Sequence, residues 1–154
     1  MSLEERVEII EDREAIHELI AHYCRGVDQK DEKLFLSIWH EDGKWTIGEP
    51  FGNHQGIHQI KDILNTIWEA LPETHHFTAN EVIKVNGETA TAVSDVGCTA
   101  TDAKGRALLI AATYWDDLKK SNGTWKIAER NVRIYYMTPV VEPWSLDPET
   151  RMAL

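Results

Sequence analysis

Apolar side chains recur at helical spacing through the first half of the chain, and this periodicity predicts three helices. The first is long and ends near Asp28, the second covers residues 30–40, and the third covers residues 56–71 before Pro72 stops it. Between the second and third helices, Asp42 and Gly43 predict a turn, residues 44–47 a short strand and residues 48–56 a loop. The N-terminal half is therefore predicted to be mainly helical.

After Pro72 the apolar pattern changes to a period of two, which is typical of strands. Four strands are predicted at residues 74–85, 89–101, 107–118 and 125–137, joined by short segments rich in Asn and Gly that favour hairpins. Strands of this length make a sheet twist and curl. The sequence therefore predicts an α+β fold, a cone-shaped barrel of a curled, mainly antiparallel sheet closed by three N-terminal helices.

A length of 154 residues is that of one domain. We predict that residues 1–138 form the cone domain. Residues 139–154 contain Pro143, Trp144 and Pro148, and we expect this irregular tail to cover the pocket or a neighbouring subunit.

The formal net charge of −10 opposes binding to nucleic acid and to anionic membranes. The longest apolar run is too short to span a bilayer, and the acidic N-terminus resembles no secretory signal, so a cytoplasmic location is expected. The two cysteines, Cys24 and Cys98, lack metal-type spacing, and we expect reduced thiols. Six Trp residues could line a pocket for a small hydrophobic molecule or pack in the core.

Arg130 interrupts an otherwise apolar face of the last predicted strand, between Ala128 and Val132. A buried guanidinium is costly unless a negative charge compensates it. Two interpretations remain open at this stage: an internal ion pair with Asp28 or Asp95, or a role in binding an anionic ligand.

The first of the four long strands carries His76, Thr78 and Asn80 on one face, which would form a polar wall inside the cone. A histidine held by a carboxylate can act as a general base, although a structural histidine would fit the same position. His75 points to the opposite face, so the His pair gives little support for a metal site, and we predict no metal. Asp28 could be the carboxylate or only a helix-end residue, and Tyr23 lies on the inward stripe of the first helix.

Several segments together resemble a known family. They are Gly26-Val27-Asp28, residues 36–39 and 45–47, residues 73–76 with Asn80, and Arg130-Asn131 followed by residues 136–139. This set is similar to the SnoaL-like branch of the nuclear-transport-factor-2-like superfamily, in particular to the hexachlorocyclohexane dehydrochlorinases. The resemblance implies the cone-shaped α+β fold and a homo-oligomer, with a trimer favoured over a dimer.

The resemblance also implies a catalytic set. Asp28, His76 and Arg130 match the Asp–His dyad and the Arg of the dehydrochlorinases, but Tyr23 stands where those enzymes have a Lys. A Tyr at this position is similar to the bile-acid 7α-dehydratases. The resemblance therefore implies a dehydratase-like elimination that needs no cofactor. The residues predicted to bind substrate are Trp39, Trp45, Trp68, Trp115, Thr78, Asn80 and Tyr136.

Three function classes remain open from the sequence. The first is a cofactor-independent lyase acting on a small hydrophobic cyclic substrate. The second is a double-bond isomerase or a polyketide or steroid cyclase that would use the same histidine for proton transfer. The third is a non-catalytic binding module, similar to the small subunits of ring-hydroxylating dioxygenases. Because one fold can host unrelated functions, the site must decide between them.

Overall fold

The computed structural model describes residues 1–140. Three helices, α1 (Leu3–Asp28), α2 (Glu32–Ser37) and α3 (Ile57–Ala70), accompany six strands. The strands are β1 (Trp39–Gly48), β2 (Gly52–Gln55), β3 (Glu73–Asn86), β4 (Thr89–Thr101), β5 (Ala107–Ser121) and β6 (Thr124–Pro139). Ser2 and Glu5 form a capping box that starts α1, because each side chain bonds the backbone N–H of the other residue.

The six strands form one sheet in the order β2-β1-β6-β5-β4-β3. All neighbouring strands are antiparallel except β1 and β6, which run parallel. The predicted α+β class is confirmed, and the long strands are present. However, the sheet is mixed and does not close into a barrel, since β2 and β3 are its edges. Only α1 and α2 precede all the strands, because α3 lies between β2 and β3.

The helices pack on one face of the sheet around a core of large apolar side chains. Gly26 permits a close contact between α1 and α2, because a Cβ at this position would lie 2.8 Å from the Cβ of Phe35. This contact brings the C-terminal turn of α1 against α2. The same turn carries Tyr23 and Asp28, so a small residue at position 26 helps to fix where the two polar side chains lie.

The segment between α2 and α3 differs from the prediction. Helix α2 ends at Ser37, and β1 begins at Trp39 and includes the predicted turn at Asp42 and Gly43. The register of β1 against β6 shifts between Trp39 and Lys44, so the turn residues form an irregularity within a longer strand. The predicted loop contains the short strand β2, which pairs with β1.

Register shifts also interrupt the strict alternation of β3 and β6. In β3 the shift lies between Ala79 and Val82, and Asn80 has a φ of 54°. In β6 the pairing skips Ala128 and Tyr135. Each skipped residue moves the following side chains to the other face. The buried residues of β6 are therefore Trp125, Ile127 and Arg130, and simple alternation does not predict this spacing.

The predicted tail covering the pocket falls mainly on residues 141–154, which lie outside the described residues. Its role stays a prediction. Among residues 1–140, none of the helices combines the length and apolar character needed to cross a membrane.

Candidate active site

Asp28, the last residue of α1, forms a hydrogen-bonded dyad with His76 at the start of β3. The Nδ1 atom of His76 lies 2.6 Å from Oδ1 of Asp28, and the backbone N–H of His76 donates to Oδ2 at 2.8 Å. The hydroxyl of Thr74 donates to Oδ1 at 2.8 Å. The predicted contact is therefore present, and three donors hold the carboxylate in one orientation.

The dyad (Asp28 and His76) favours its charged form. Burial by itself lowers the pKa of His76, but the hydrogen bond to Asp28 and the contact with Cys98 outweigh it and raise the pKa to about 9. Burial opposes ionisation of Asp28, yet the bonds from His76 and Thr74 hold the pKa of that carboxyl below its ordinary value. At neutral pH the resting dyad is therefore an imidazolium–carboxylate pair.

His76 also borders a cavity of about 80 Å³. The polar residues of its wall are His76, Thr74, Cys98, Tyr23 and Tyr114. Its other lining residues are apolar: Val27, Trp45, Ile47, Phe51, Ile67, Leu71, Val96, Ile110, Ala112, Val132, Ile134 and Met137. An apolar chamber with a few convergent polar groups is typical of a small-molecule site.

Arg130 is fully buried and pairs with Asp116. Its Nε and Nη2 atoms donate to the two carboxylate oxygens, both at 2.7 Å. The residue was correctly predicted to be buried, but the predicted partners, Asp28 and Asp95, were wrong. Asp95 instead accepts hydrogen bonds from Asn80 and Thr113. The reason is register, since Asp116 lies directly opposite Arg130 on β5.

The guanidinium of Arg130 lies between two tyrosine rings. Its central carbon is 4.2 Å from the ring centroid of Tyr23 and 4.2 Å from that of Tyr114. Neither Arg130 nor Asp116 lines the cavity, whereas both tyrosines do. Among the described residues, Nη1 of Arg130 has no hydrogen-bond partner. Arg130 therefore contacts the two tyrosines of the cavity wall without lining the cavity itself.

Tyr23 lies close to the dyad, with its ring centroid 6.3 Å from that of His76. Burial raises the pKa of its phenol, while the charge of Arg130 and a hydrogen-bonding contact with Tyr114 work in the opposite direction. The net pKa is well above the ordinary value, so Tyr23 stays neutral at neutral pH. It can donate a hydrogen bond to an oxygen that gains negative charge.

Of the residues predicted to bind substrate, only Trp45 lines the cavity. Trp39 is buried behind Trp45, at 5.6 Å between ring centroids, and Trp68 donates its indole N–H to the carbonyl of Val27. Thr78 borders an outer groove on the far side of the dyad.

The remaining three predicted substrate-binding residues are exposed. Asn80 lies at the β3 register shift, Tyr136 follows the skipped Tyr135, and Trp115 is 39% exposed. Trp115 alternates with the inward-facing Tyr114 and Asp116 on β5 and therefore points outward. The expectation that these side chains form the pocket wall is not met.

Three polar residues of this region, Thr74, Tyr114 and Asp116, were not predicted from the sequence. Asp116 and Tyr114 alternate with outward residues on β5 between Ala112 and Leu118, so the reasoning that found Arg130 applies equally to them. Thr74 gave no comparable signal, because a threonine at a strand start is common.

The described residues contain no cluster of three or more His, Cys, Asp or Glu side chains suited to a metal ion. His75 and His76 point to opposite faces of β3, and the side chain of His75 is 61% exposed. Cys24 and Cys98 are buried free thiols.

Comparisons with known proteins place the chain in one family. A family model for the SnoaL-like domain matches residues 8–131. The chain is 32% identical over 131 residues to hexachlorocyclohexane dehydrochlorinase 1 of Sphingobium indicum, covering 83% of this chain and 84% of that protein. It is 30% identical to the gamma-hexachlorocyclohexane dehydrochlorinase of the same species, covering 83% of each. A crystal structure of a type 2 hexachlorocyclohexane dehydrochlorinase, LinA, superposes with a TM-score of 0.84 at 29% identity, covering 89% of this chain and 94% of that one.

Proposed function

The chain belongs to the SnoaL-like domain family, and from this premise we propose that it is a lyase that eliminates water from a small cyclic β-hydroxy carbonyl compound without a cofactor. Its relatives named dehydrochlorinases are elimination enzymes, which supports the general class. The finer assignment of substrate and residue roles depends on the geometry of the dyad.

The observation that carries the proposal is the position of His76. One ring nitrogen is held by Asp28 at 2.6 Å, and the ring also borders the apolar cavity next to Tyr23. An imidazole with one nitrogen fixed by a carboxylate presents the other nitrogen for proton transfer. This arrangement supports a general base or acid acting on a bound small molecule.

In the proposed reaction, the free nitrogen of neutral His76 removes the proton from the α-carbon of the substrate. The bonding electrons move toward the carbonyl, and an enolate forms whose oxygen accepts a hydrogen bond from Tyr23. Collapse of the enolate breaks the β-carbon–oxygen bond, and the departing hydroxide takes the proton from the His76 imidazolium. The products are an α,β-unsaturated carbonyl compound and water, and the dyad returns to its starting state.

Tyr23 favours dehydration over loss of chloride. The family resemblance places a lysine at this position in the dehydrochlorinases, where a positive charge suits a halide leaving group. A neutral phenol donates a hydrogen bond to a carbonyl or hydroxyl oxygen and supplies no charge. The cavity of about 80 Å³ is also far below the roughly 300–1,000 Å³ of drug-sized sites, which favours one small ring over a steroid.

The raised pKa of His76 gives this mechanism a pH signature. The base must be neutral, but a pKa of about 9 leaves only about one molecule in a hundred with a neutral imidazole at pH 7. We therefore expect kcat/KM to rise with pH and to level off above about pH 9. A rate that instead falls as the pH rises through this range would mean that the imidazolium acts as an acid in the limiting step.

The direct test is turnover of a panel of cyclic β-hydroxy ketones and chlorinated rings by the wild-type protein and by His76→Gln. Enone formation is followed by ultraviolet absorbance, and loss of water or HCl by mass spectrometry. We expect His76→Gln to lower kcat/KM by about 10²- to 10⁴-fold, which is the usual contribution of a positioned base. His75→Gln is the matched control, since the neighbouring imidazole is exposed on the opposite face, and it should retain full activity.

Each alternative predicts a different result in the same assay. A double-bond isomerase would give a product of unchanged mass that still depends on His76. A binding module would give no product with any compound while still binding some of them in a thermal-shift assay. Full activity in His76→Gln with a substrate that wild type converts would contradict the proposed base.

A further inference from the structure

Tyr23 and Tyr114 form a second polar feature of the cavity, and the proposed elimination assigns a role only to Tyr23. Their ring centroids are 5.3 Å apart, both residues are nearly fully buried, and both line the cavity. A hydrogen-bonding contact between the two hydroxyls affects the pKa of each phenol, lowering that of Tyr23 and raising that of Tyr114. Each phenol carries one hydroxyl hydrogen, so the pair can offer a ligand oxygen at least one hydrogen bond whether or not the two hydroxyls also bond each other.

From this arrangement we propose that Tyr23 and Tyr114 together form an oxyanion-binding site for a single-ring enolate or phenolate, and that Arg130 is a positioning residue that holds both rings. Tyr114 thereby becomes a further substrate-contacting residue of the proposed reaction. The assignment of the ligand as a reaction intermediate depends on the proposed function, whereas the binding of an oxyanion can be measured without turnover.

The chemistry of the pair suits an oxyanion. A phenol that donates to a second phenol strengthens the outward hydrogen bond of its neighbour, because hydrogen-bond chains polarise one another. The Arg130 charge lies 4.2 Å from each ring centroid, and it lowers the pKa of both phenols against the larger effect of burial. Both phenols still stay neutral, so they donate to an anion and do not repel it.

Arg130 itself cannot be the anion-binding group. Its charge is matched by two 2.7 Å hydrogen bonds to Asp116, and neither residue reaches the cavity wall. A guanidinium between two rings fixes their orientation and their separation. Its contribution to binding is therefore transmitted through Tyr23 and Tyr114.

The cavity sets the size of the ligand. Its volume of about 80 Å³ is smaller than the roughly 150 Å³ of an engineered cavity that binds benzene. A single ring therefore fits only if side chains of the wall move. Phe51 and Met137 are only half-buried wall residues, and the unbranched Met side chain adapts easily. A single planar ring with small substituents is therefore the largest ligand class that this cavity favours.

The test uses 4-nitrophenol, whose phenolate absorbs visible light while the phenol does not, and 4-nitroanisole as a neutral ligand of similar shape. Binding is measured in the His76→Gln background, which removes the imidazolium as a competing anion partner. At a pH where most of the free probe is protonated, we expect the bound probe to be the phenolate. Tyr114→Phe and Tyr23→Phe should each weaken phenolate binding about tenfold or more and leave 4-nitroanisole binding unchanged.

Tyr136→Phe is the matched control, because that hydroxyl is on an exposed residue outside the cavity, and it should change neither affinity. The role of Arg130 is tested by the double variant Arg130→Met with Asp116→Leu, which removes both charges together. We expect this double variant to bind 4-nitroanisole as tightly as the parent protein does. We also expect a smaller fraction of its bound 4-nitrophenol to be in the phenolate form.

Three results would overturn the proposal: no saturable phenolate binding in the His76→Gln protein, unchanged phenolate affinity in Tyr114→Phe, or equal losses for the two probes. These outcomes are independent of the elimination hypothesis. Phenolate binding that depends on Tyr114, in a protein whose turnover does not depend on His76, would support this inference and reject the proposed function.

Discussion

The molecule contains two acid–base pairs on neighbouring elements, and they differ in how much water they keep. Arg130 and Asp116 are both 0% exposed and make two 2.7 Å hydrogen bonds behind the tyrosine rings. The His76 and Asp28 side chains are 13% and 18% exposed and lie between the cavity and an outer groove. Similar contacts thus give one pair whose guanidinium stays protonated and one whose imidazole can exchange a proton.

The difference between the two pairs follows from the chemistry of their basic groups as well as from burial. A guanidinium does not lose its proton in proteins, so burial of Arg130 must be compensated completely by Asp116. An imidazole can respond to burial by titration, and the contacts with Asp28 and Cys98 move its pKa only to about 9. His76, at the cavity, is therefore suited to proton transfer. Arg130, behind the cavity wall, is suited to holding the structure around it.

The largest expected effect comes from breaking the fully buried pair. Asp116→Asn removes the charge that compensates Arg130, and we expect the free energy of unfolding to fall by about 3–5 kcal/mol. Asp117→Asn is the control, because the neighbouring side chain is exposed and should cost less than about 0.5 kcal/mol. Urea unfolding of the three proteins measures the difference. A loss in Asp116→Asn no larger than in Asp117→Asn would mean that the pair is not buried as described.

A smaller effect is expected from the pH dependence of the dyad. The folded pKa of His76 is raised to about 9 from an ordinary 6.5, so its contribution to stability is complete below pH 6.5 and is lost as the pH rises through 9. We expect up to about 3 kcal/mol of unfolding free energy to disappear over that window. Asp28 contributes in the opposite direction, since its lowered pKa makes its stabilisation disappear only at acid pH.

The measurement is urea unfolding at several pH values for wild type and His76→Gln, with the wild-type imidazole titrated by NMR. The variant should lack the wild-type loss between pH 6.5 and 9, while the Arg130–Asp116 pair contributes equally to both proteins. Parallel stability curves for the two proteins would show that His76 does not titrate in this window.

The smallest effect is expected at Thr74, which donates to the Asp28 carboxylate at 2.8 Å. Thr74→Val keeps the shape of the side chain and removes one of the three donors to that carboxylate. We expect a loss of about 1 kcal/mol in unfolding free energy and a modest rise in the pKa of Asp28. Thr66→Val, at an exposed threonine of α3, is the control for the hydroxyl itself. Identical NMR titrations of Asp28 in Thr74→Val and wild type would contradict a role for this hydrogen bond.

Much of the fold and part of the site could be predicted from local pattern. Helical periodicity placed Tyr23 and Asp28 near the end of α1, and the position of Arg130 among apolar neighbours predicted its burial. Alternation failed where a strand bulges. Asn80 and Tyr136 were predicted in the pocket, but register shifts between Ala79 and Val82 and at Tyr135 place them outside. A bulge of one residue reverses every later position, and composition alone does not reveal it.

The sequence by itself determined the helices, the long strands, the acidic surface and the need to compensate a buried arginine, because each follows from local spacing or from the energy of isolated charges. Only the tertiary structure decided that Asp116 is the partner of Arg130 and that Tyr114 lies beside Tyr23. It also decided how close Asp28 comes to His76. These contacts join residues far apart in the chain or on adjacent strands, so they depend on strand register and on the packing of α1 against β3.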